Sequence, residues 1–349
     1  MKKILFLFLA AAISLQVQAQ NKPRVIILAT GGTIAGEGSS ADRAGYTSGK
    51  IPIESLIGGI PQVKKFADIT GEQVASVGSQ DMSVAIWGKL IARINEIVAK
   101  KEADGIVITH GTDTQEETGY FLDLLVKSKI PVVLTGSMRP ATAISADGPK
   151  NLFDAIVVAA AKESWGRGVL VSFNESIFDA RDVVKVSTTK VNAFASPNTG
   201  PLGQVYDGKV EYYTQNIREE NTDLPFVFGA GAKVPKVEVV YMYADADASP
   251  IKNFADKGVD GLIIAGVGNG NFSKAFYDAI DYAVKKGVVV VRSSRIVSGR
   301  VTLEDEIDDT KLGTLVSDDL NPAKARVLLM LGLMKTKDKK KLQEYFFTY

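Results

Sequence analysis

The sequence predicts an α/β fold in two domains: a larger N-terminal, doubly wound, mostly parallel sheet with flanking helices, and a smaller C-terminal α/β domain. Three observations carry this. Continuous apolar runs, R-V-I-I-L-A-T at 24–30 and G-I-V-I-T at 105–109 among them, are how strands covered on both faces are written. Amphipathic stretches alternate with those runs, as crossover helices between parallel strands do. At 349 residues the chain is also long enough for two cores.

Taken in order, the N-terminal strands fall at 24–30, 105–109, 131–135 and 168–173, with helices at 85–100 and 151–163 between them. A further helix starts after Thr114, where Glu116 and Glu117 place acidic side chains in its first turn. Asp113 and Glu116 have the spacing of a capping box there. Residues 213–235 are polar and irregular and read as a linker. A second series follows, with strands at 236–243, 261–265 and 288–292 and helices at 271–286 and 322–335. The expected domains are therefore 24–212 and 236–349.

Residues 1–19 join a basic start at Lys2 and Lys3 to an apolar run and the small-residue exit Q-V-Q-A. That is a secretory signal peptide, cleaved near Ala19 and Gln20, and it implies export to the periplasm. No later run is long and apolar enough to predict a membrane span.

Composition narrows the chemistry. The chain has no cysteine and one histidine, His110, which excludes thiol nucleophiles, thiolate zinc sites and any site needing two imidazoles. No EF-hand spacing is present, so no metal is expected. With 41 basic and 40 acidic residues there is no bulk field to hold nucleic acid or an anionic membrane. The run K-T-K-D-K-K-K at 335–341 reads as a solvated face beyond the last expected helix.

Four turns rich in hydroxyl or acidic groups follow strands or lie near their ends: Thr30-Gly31-Gly32-Thr33, Ser79-Gln80-Asp81, His110-Gly111-Thr112-Asp113-Thr114 and Gly136-Ser137-Met138-Arg139. Each alone could be an ordinary turn or cap. Together they line the sheet edge where α/β folds bind ligands. Neither the dinucleotide fingerprint nor the P-loop fits any glycine turn, and no G-x-S-x-G elbow occurs, so no nucleotide cofactor is expected. The stretch 179–185 ends in Lys185, which burial beside Thr112 and Asp113 would make able to take a threonine proton where no histidine serves.

T-G-G-T-I-A-G at 30–36, I-T-H-G-T-D-T-x-E-E-T at 108–118, M-R-P with S-A-D-G-P at 138–149 and R-S-S-R at 292–295 resemble the bacterial L-asparaginases. With its leader, the chain is similar to their exported type II branch. The resemblance implies hydrolysis of L-asparagine to L-aspartate and ammonia without a cofactor. It makes Thr33 the nucleophile of an acyl-enzyme and Tyr46 the group that activates it and closes over the site. Thr112, Lys185 and Asp113 form the second catalytic cluster; Ser79 and Gln80 hold the substrate's α-carboxylate and α-ammonium, and Asp113 pairs with that ammonium. It further implies a homotetramer in which Asn271 and Glu306 complete a neighbour's site. His110 and Thr30 are expected to be structural.

Ser137, counted with the substrate-binding residues, stands where the family more often has Ala. Glutaminase-asparaginases can carry Ser there, so a mixed specificity or a minor glutaminase activity is the alternative within the family. An exported amino-acid-binding protein without chemistry is the alternative from another class.

Overall fold

A computed structural model describes residues 22–40, 45–215, 224–229 and 231–349. The expected signal peptide and parts of the expected linker lie outside them.

β1 (Arg24–Gly31) sends Ile26 and Leu28 into one core and Val25, Ile27 and Ala29 into the other. An alternation with both faces apolar is why the run looked continuous. After a 3-10 turn at Thr33–Ala35, β2 (Glu37–Gly38) and β3 (Tyr46–Thr47) form a small antiparallel hairpin. α1 (Ile53–Gly58) leads to β4 (Asp68–Val77), and α2 (Val84–Lys100) starts at Ser83, whose hydroxyl accepts from the Ile86 amide, and stops at left-handed Lys101. Then come β5 (Gly105–Thr109), α3 (Gln115–Asp123), β6 (Val132–Thr135), α4 (Gly148–Ala160) and β7 (Val169–Phe173).

β8 (Ser176–Asp179) turns back antiparallel to β7. β9 (Val184–Lys185) and β10 (Phe194–Ala195) make a two-residue ladder, and β11 (Gly203–Tyr206) with β12 (Lys209–Tyr212) finish the sheet edge. The strand order is β12-β11-β8-β7-β6-β5-β1-β4, parallel from β4 to β7. The second sheet is wholly parallel: β13 (Val237–Tyr241), α5 (Ser249–Asp256), β14 (Gly261–Gly266), α6 (Lys274–Lys285), β15 (Val289–Ser294), α7 (Asp309–Leu312) and β16 (Leu315–Val316), in the order β13-β14-β15-β16. α8 (Pro322–Leu333) and α9 (Lys339–Thr348) close the chain. Among the described residues no helix is long and apolar enough to cross a membrane.

α8 is buried on nearly every side, as a helix apolar all round must be. It packs against α3 on one side and β13, β14 and β15 on the other, and one apolar core runs through all of them.

Three expectations need correction. The capping box does not form: Thr114 is the N-cap with no side-chain cap, and Glu116 instead accepts from the Lys185 amide and from Asn321. The helix expected from 271 starts at Lys274 behind a Ser273 cap, leaving Asn271 in a bridge to Val267. Lys339, Lys340 and Lys341 are exposed, but they open α9, which Asp338 caps and which buries Leu342, Tyr345 and Phe346.

Candidate active site

The chain leaves β1 for β4 on one side and returns to β5 on the other, so the sheet switches direction between β1 and β5. A crevice outside the carboxyl ends of two such strands is where α/β sheets take ligands. The turns leaving those strands carry Thr33 and Thr112. Gly32 holds them together: its φ is 80°, and a Cβ there would lie 2.4 Å from the Gly111 nitrogen, a gap only glycine allows.

Thr33 is 6% exposed and its Oγ1 lies 2.6 Å from the Tyr46 Oη. Tyr46 itself is 41% exposed and comes from the β2–β3 hairpin, so the contact is made from the solvent side. Its ring lies on Gly36, where a Cβ would come within 2.6 Å of Cδ2. Across the crevice, Lys185 Nζ donates to Thr112 Oγ1 at 2.9 Å and to Asp113 Oδ1 at 2.6 Å. β9 brings Lys185 there from the far end of the strap that follows β8.

Buried Ser79 accepts from the Asp113 amide at 3.0 Å, and its carbonyl accepts from the Thr114 hydroxyl at 2.8 Å. Gln80 beside it is exposed. Ser137 is fully buried and donates its hydroxyl to the Arg139 carbonyl at 2.7 Å, while Asp147 accepts from the Met138 and Arg139 amides. Asn271 donates to Glu306. Among the described residues, neither of these two shares a hydrogen bond with Thr33, Thr112 or Lys185 of the same chain. The sequence reading missed Arg292, which is buried and donates to both Asp309 oxygens and to the carbonyls of Asn269, Gly270 and Thr302. R-S-S-R marked its position, but its partners could not be read from spacing.

His110 is fully buried. Its Nδ1 lies 2.6 Å from the Gly111 carbonyl and its Nε2 2.9 Å from Thr118 Oγ1, which accepts from Trp87 Nε1. A carbonyl only accepts, so the proton is assigned to Nδ1 and Thr118 donates to Nε2. Burial pushes the imidazole down to about 4. The unfolded chain, titrating near 6.5, binds a proton that the fold refuses, so this residue's contribution is intact above that value and lost as pH falls towards 4. The loss should total roughly 3 kcal/mol. Urea unfolding of wild type and His110→Gln between pH 7 and pH 4 isolates it, and an equal pH slope in both would refute it.

The arrangement sets one nearly buried threonine against a phenol, and a second threonine against an amine–carboxylate pair. Among the described residues no group of His, Asp and Glu could hold a metal ion. The family model described as Asparaginase, N-terminal matches residues 24–218, and that of the Glutaminase/Asparaginase C-terminal domain matches residues 236–346. The chain belongs to the asparaginase family. It is 50% identical to the L-asparaginase 2 of Escherichia coli (strain K12), over 94% of this chain and 93% of that protein. It is also 50% identical to the probable periplasmic L-asparaginase of Haemophilus influenzae, with the same shares covered. A crystal structure of a probable cytoplasmic L-asparaginase from Campylobacter jejuni superposes with a TM-score of 0.90 at 47% identity, over 94% of this chain and all of that one.

Proposed function

We propose that the chain hydrolyses the side-chain amide of L-asparagine to L-aspartate and ammonia, with Thr33 as the nucleophile. The observation that carries this reading is the nearly buried Thr33 hydroxyl, bonded to Tyr46 Oη at a crevice shared with Thr112, Lys185 and Asp113. Thr33 Oγ1 attacks the amide carbon, and its proton leaves towards the Tyr46 oxygen. The C–N bond breaks as the nitrogen takes up a proton and departs as ammonia. Water, positioned by Thr112 and Lys185, opens the acyl ester and restores Thr33. In this reading backbone N–H groups near the glycine turn, other than the Gly32 amide that donates to the Val77 carbonyl, stabilise the oxyanion of each step, and fixed donors of that kind contribute most to such reactions.

Ser79, Gln80 and Asp113 take the α-carboxylate and α-ammonium, a zwitterion suited to charge-assisted hydrogen bonds. Ser137 acts through the turn that its hydroxyl closes. One methylene separates asparagine from glutamine, worth about 1–3 kcal/mol in a simple pocket, so a minor glutaminase activity accompanies the main one. Ammonia release from both substrates tests this. No release from either would end the enzyme reading in favour of a binding protein, and equal release from both would make the chain a glutaminase-asparaginase.

The active form in this reading is a homotetramer exported to the periplasm by residues 1–19, a location supported by the likeness to the probable periplasmic L-asparaginase of Haemophilus influenzae. Asn271 and Glu306, paired with each other just beyond β14, complete the neighbouring subunit's site in this reading. A mixing experiment follows. Thr33→Ala and Glu306→Ala chains, each inactive alone, should regain about a quarter of wild-type activity when refolded together, because half the pairs are mixed and each rebuilds one of two sites. No recovery in verified mixed oligomers would place Glu306 in its own chain's site.

A further inference from the structure

The strap that delivers Lys185 is held by the C-terminal half of the same chain. Lys324, in the first turn of α8, is 1% exposed, and its Nζ donates to the carbonyls of Arg181 at 2.7 Å and Val183 at 2.6 Å. Asn321 caps α8 by accepting from the Lys324 amide, and its Nδ2 donates to Glu116 Oε1 at 2.9 Å. The other oxygen of Glu116 accepts from the Lys185 amide at 2.6 Å. Arg181 is pinned in turn by both oxygens of Asp319 and by the Tyr349 carbonyl.

Sheet pairing does not explain this arrangement. Between β8 and β9 the strap has no ladder partner, and buried backbone carbonyls must be satisfied by something. A lysine is a costly choice, since burial outweighs the nearby Glu116 and Asp182 carboxylates and its amine is pushed down to about 8. An apolar side chain of the same length would leave the Arg181 and Val183 carbonyls without a donor.

We infer that Glu116, Asn321 and Lys324 are positioning residues for the reaction: they fix the backbone that leads into Lys185, up to its own amide, so that its amine reaches Thr112 and Asp113 together. The inference rests on the proposed role of Lys185. None of the three bonds to Thr33, Thr112 or Asp113. Their action is on geometry, and displacing a reacting group by about an ångström can cost around 100-fold in rate.

Glu116→Gln is the sharpest probe, because Glu116 accepts from two N–H donors on its two oxygens and an amide can accept on only one. Lys324→Met removes the other hold at similar length. In purified full-length protein each should lower kcat for asparagine by about 10- to 100-fold, with KM within about twofold of wild type. In a Lys185→Met background Glu116→Gln should cause no further loss, because the group it positions is gone. A wild-type kcat in Glu116→Gln, or the same fold-loss with and without Lys185, would overturn the inference. If Lys324→Met fails to fold, Glu116→Gln still decides. A Lys185→Met chain with wild-type kcat would instead refute the role assigned to Lys185 itself.

Discussion

Thr33→Ala is expected to lower kcat for L-asparagine by about 1,000-fold or more while leaving a folded protein that still binds its substrate. Removing the group that accepts the acyl chain leaves only oxyanion stabilisation and binding, and that residue of catalysis is small. The fold should tolerate the change. Thr33 loses one hydroxyl whose partner, Tyr46, is 41% exposed and can turn to water, a cost of about 1 kcal/mol. Thr33→Ser keeps an oxygen and should recover part of the rate. Ammonia release alongside thermal melting measures both consequences, and a Thr33→Ala protein turning over at the wild-type rate would hand the nucleophile's role to Thr112.

The second large effect lies away from the crevice. Arg292 and Asp309 are each 1% exposed, and the guanidinium donates to both carboxylate oxygens at 2.6 Å. Asp309 also accepts from the Glu304 amide and the Thr314 hydroxyl. Asp309→Asn would strand the arginine's charge in a dry interior, which costs about 3–5 kcal/mol. Replacing a buried pair as a unit is often far milder, so Arg292→Met with Asp309→Leu should be more stable than Asp309→Asn alone. Arg292 also holds the Asn269, Gly270 and Thr302 carbonyls beside Asn271 and the segment leading to Glu306. Asparagine turnover should therefore fall with stability. Equilibrium unfolding in urea at fixed protein concentration reads the first effect, and an unchanged unfolding free energy in Asp309→Asn would show that the pair holds nothing in place.

What could be read in the sequence follows burial. β1, β5, β6 and β7 stood out because both of their faces are covered, so nearly every residue is apolar. β4 escaped notice because it is an edge strand whose residues are all exposed or half-buried, and D-I-T-G-E-Q-V-A-S-V shows no clear alternation. The antiparallel β8, β11 and β12 are four residues each, too short for a pattern. α9 was hidden by its own lysines, which mask an apolar face that begins only at Leu342. At the candidate site, the turns carrying Thr33 and Thr112 stood out because they follow legible strands and are rich in glycine and hydroxyl residues, while the roles given to them and to Ser79 came from the family resemblance. Glu116 was misread as a cap because its true partners, Lys185 and Asn321, lie 69 and 205 residues away, and no local spacing encodes such a contact.

The placement of α8 bears on how the molecule comes into being. α3 is buried over most of its length between the first sheet and α8, and a single core takes in both Ile26 near the start and Leu331 near the end. Until the final tenth of the polypeptide has been made, the outer side of α3 has nothing to rest on, and the strap carrying Lys185 has no Lys324 to hold it. Contacts that close over such long loops form late. A nascent chain is thus kept from finishing its first half ahead of its second.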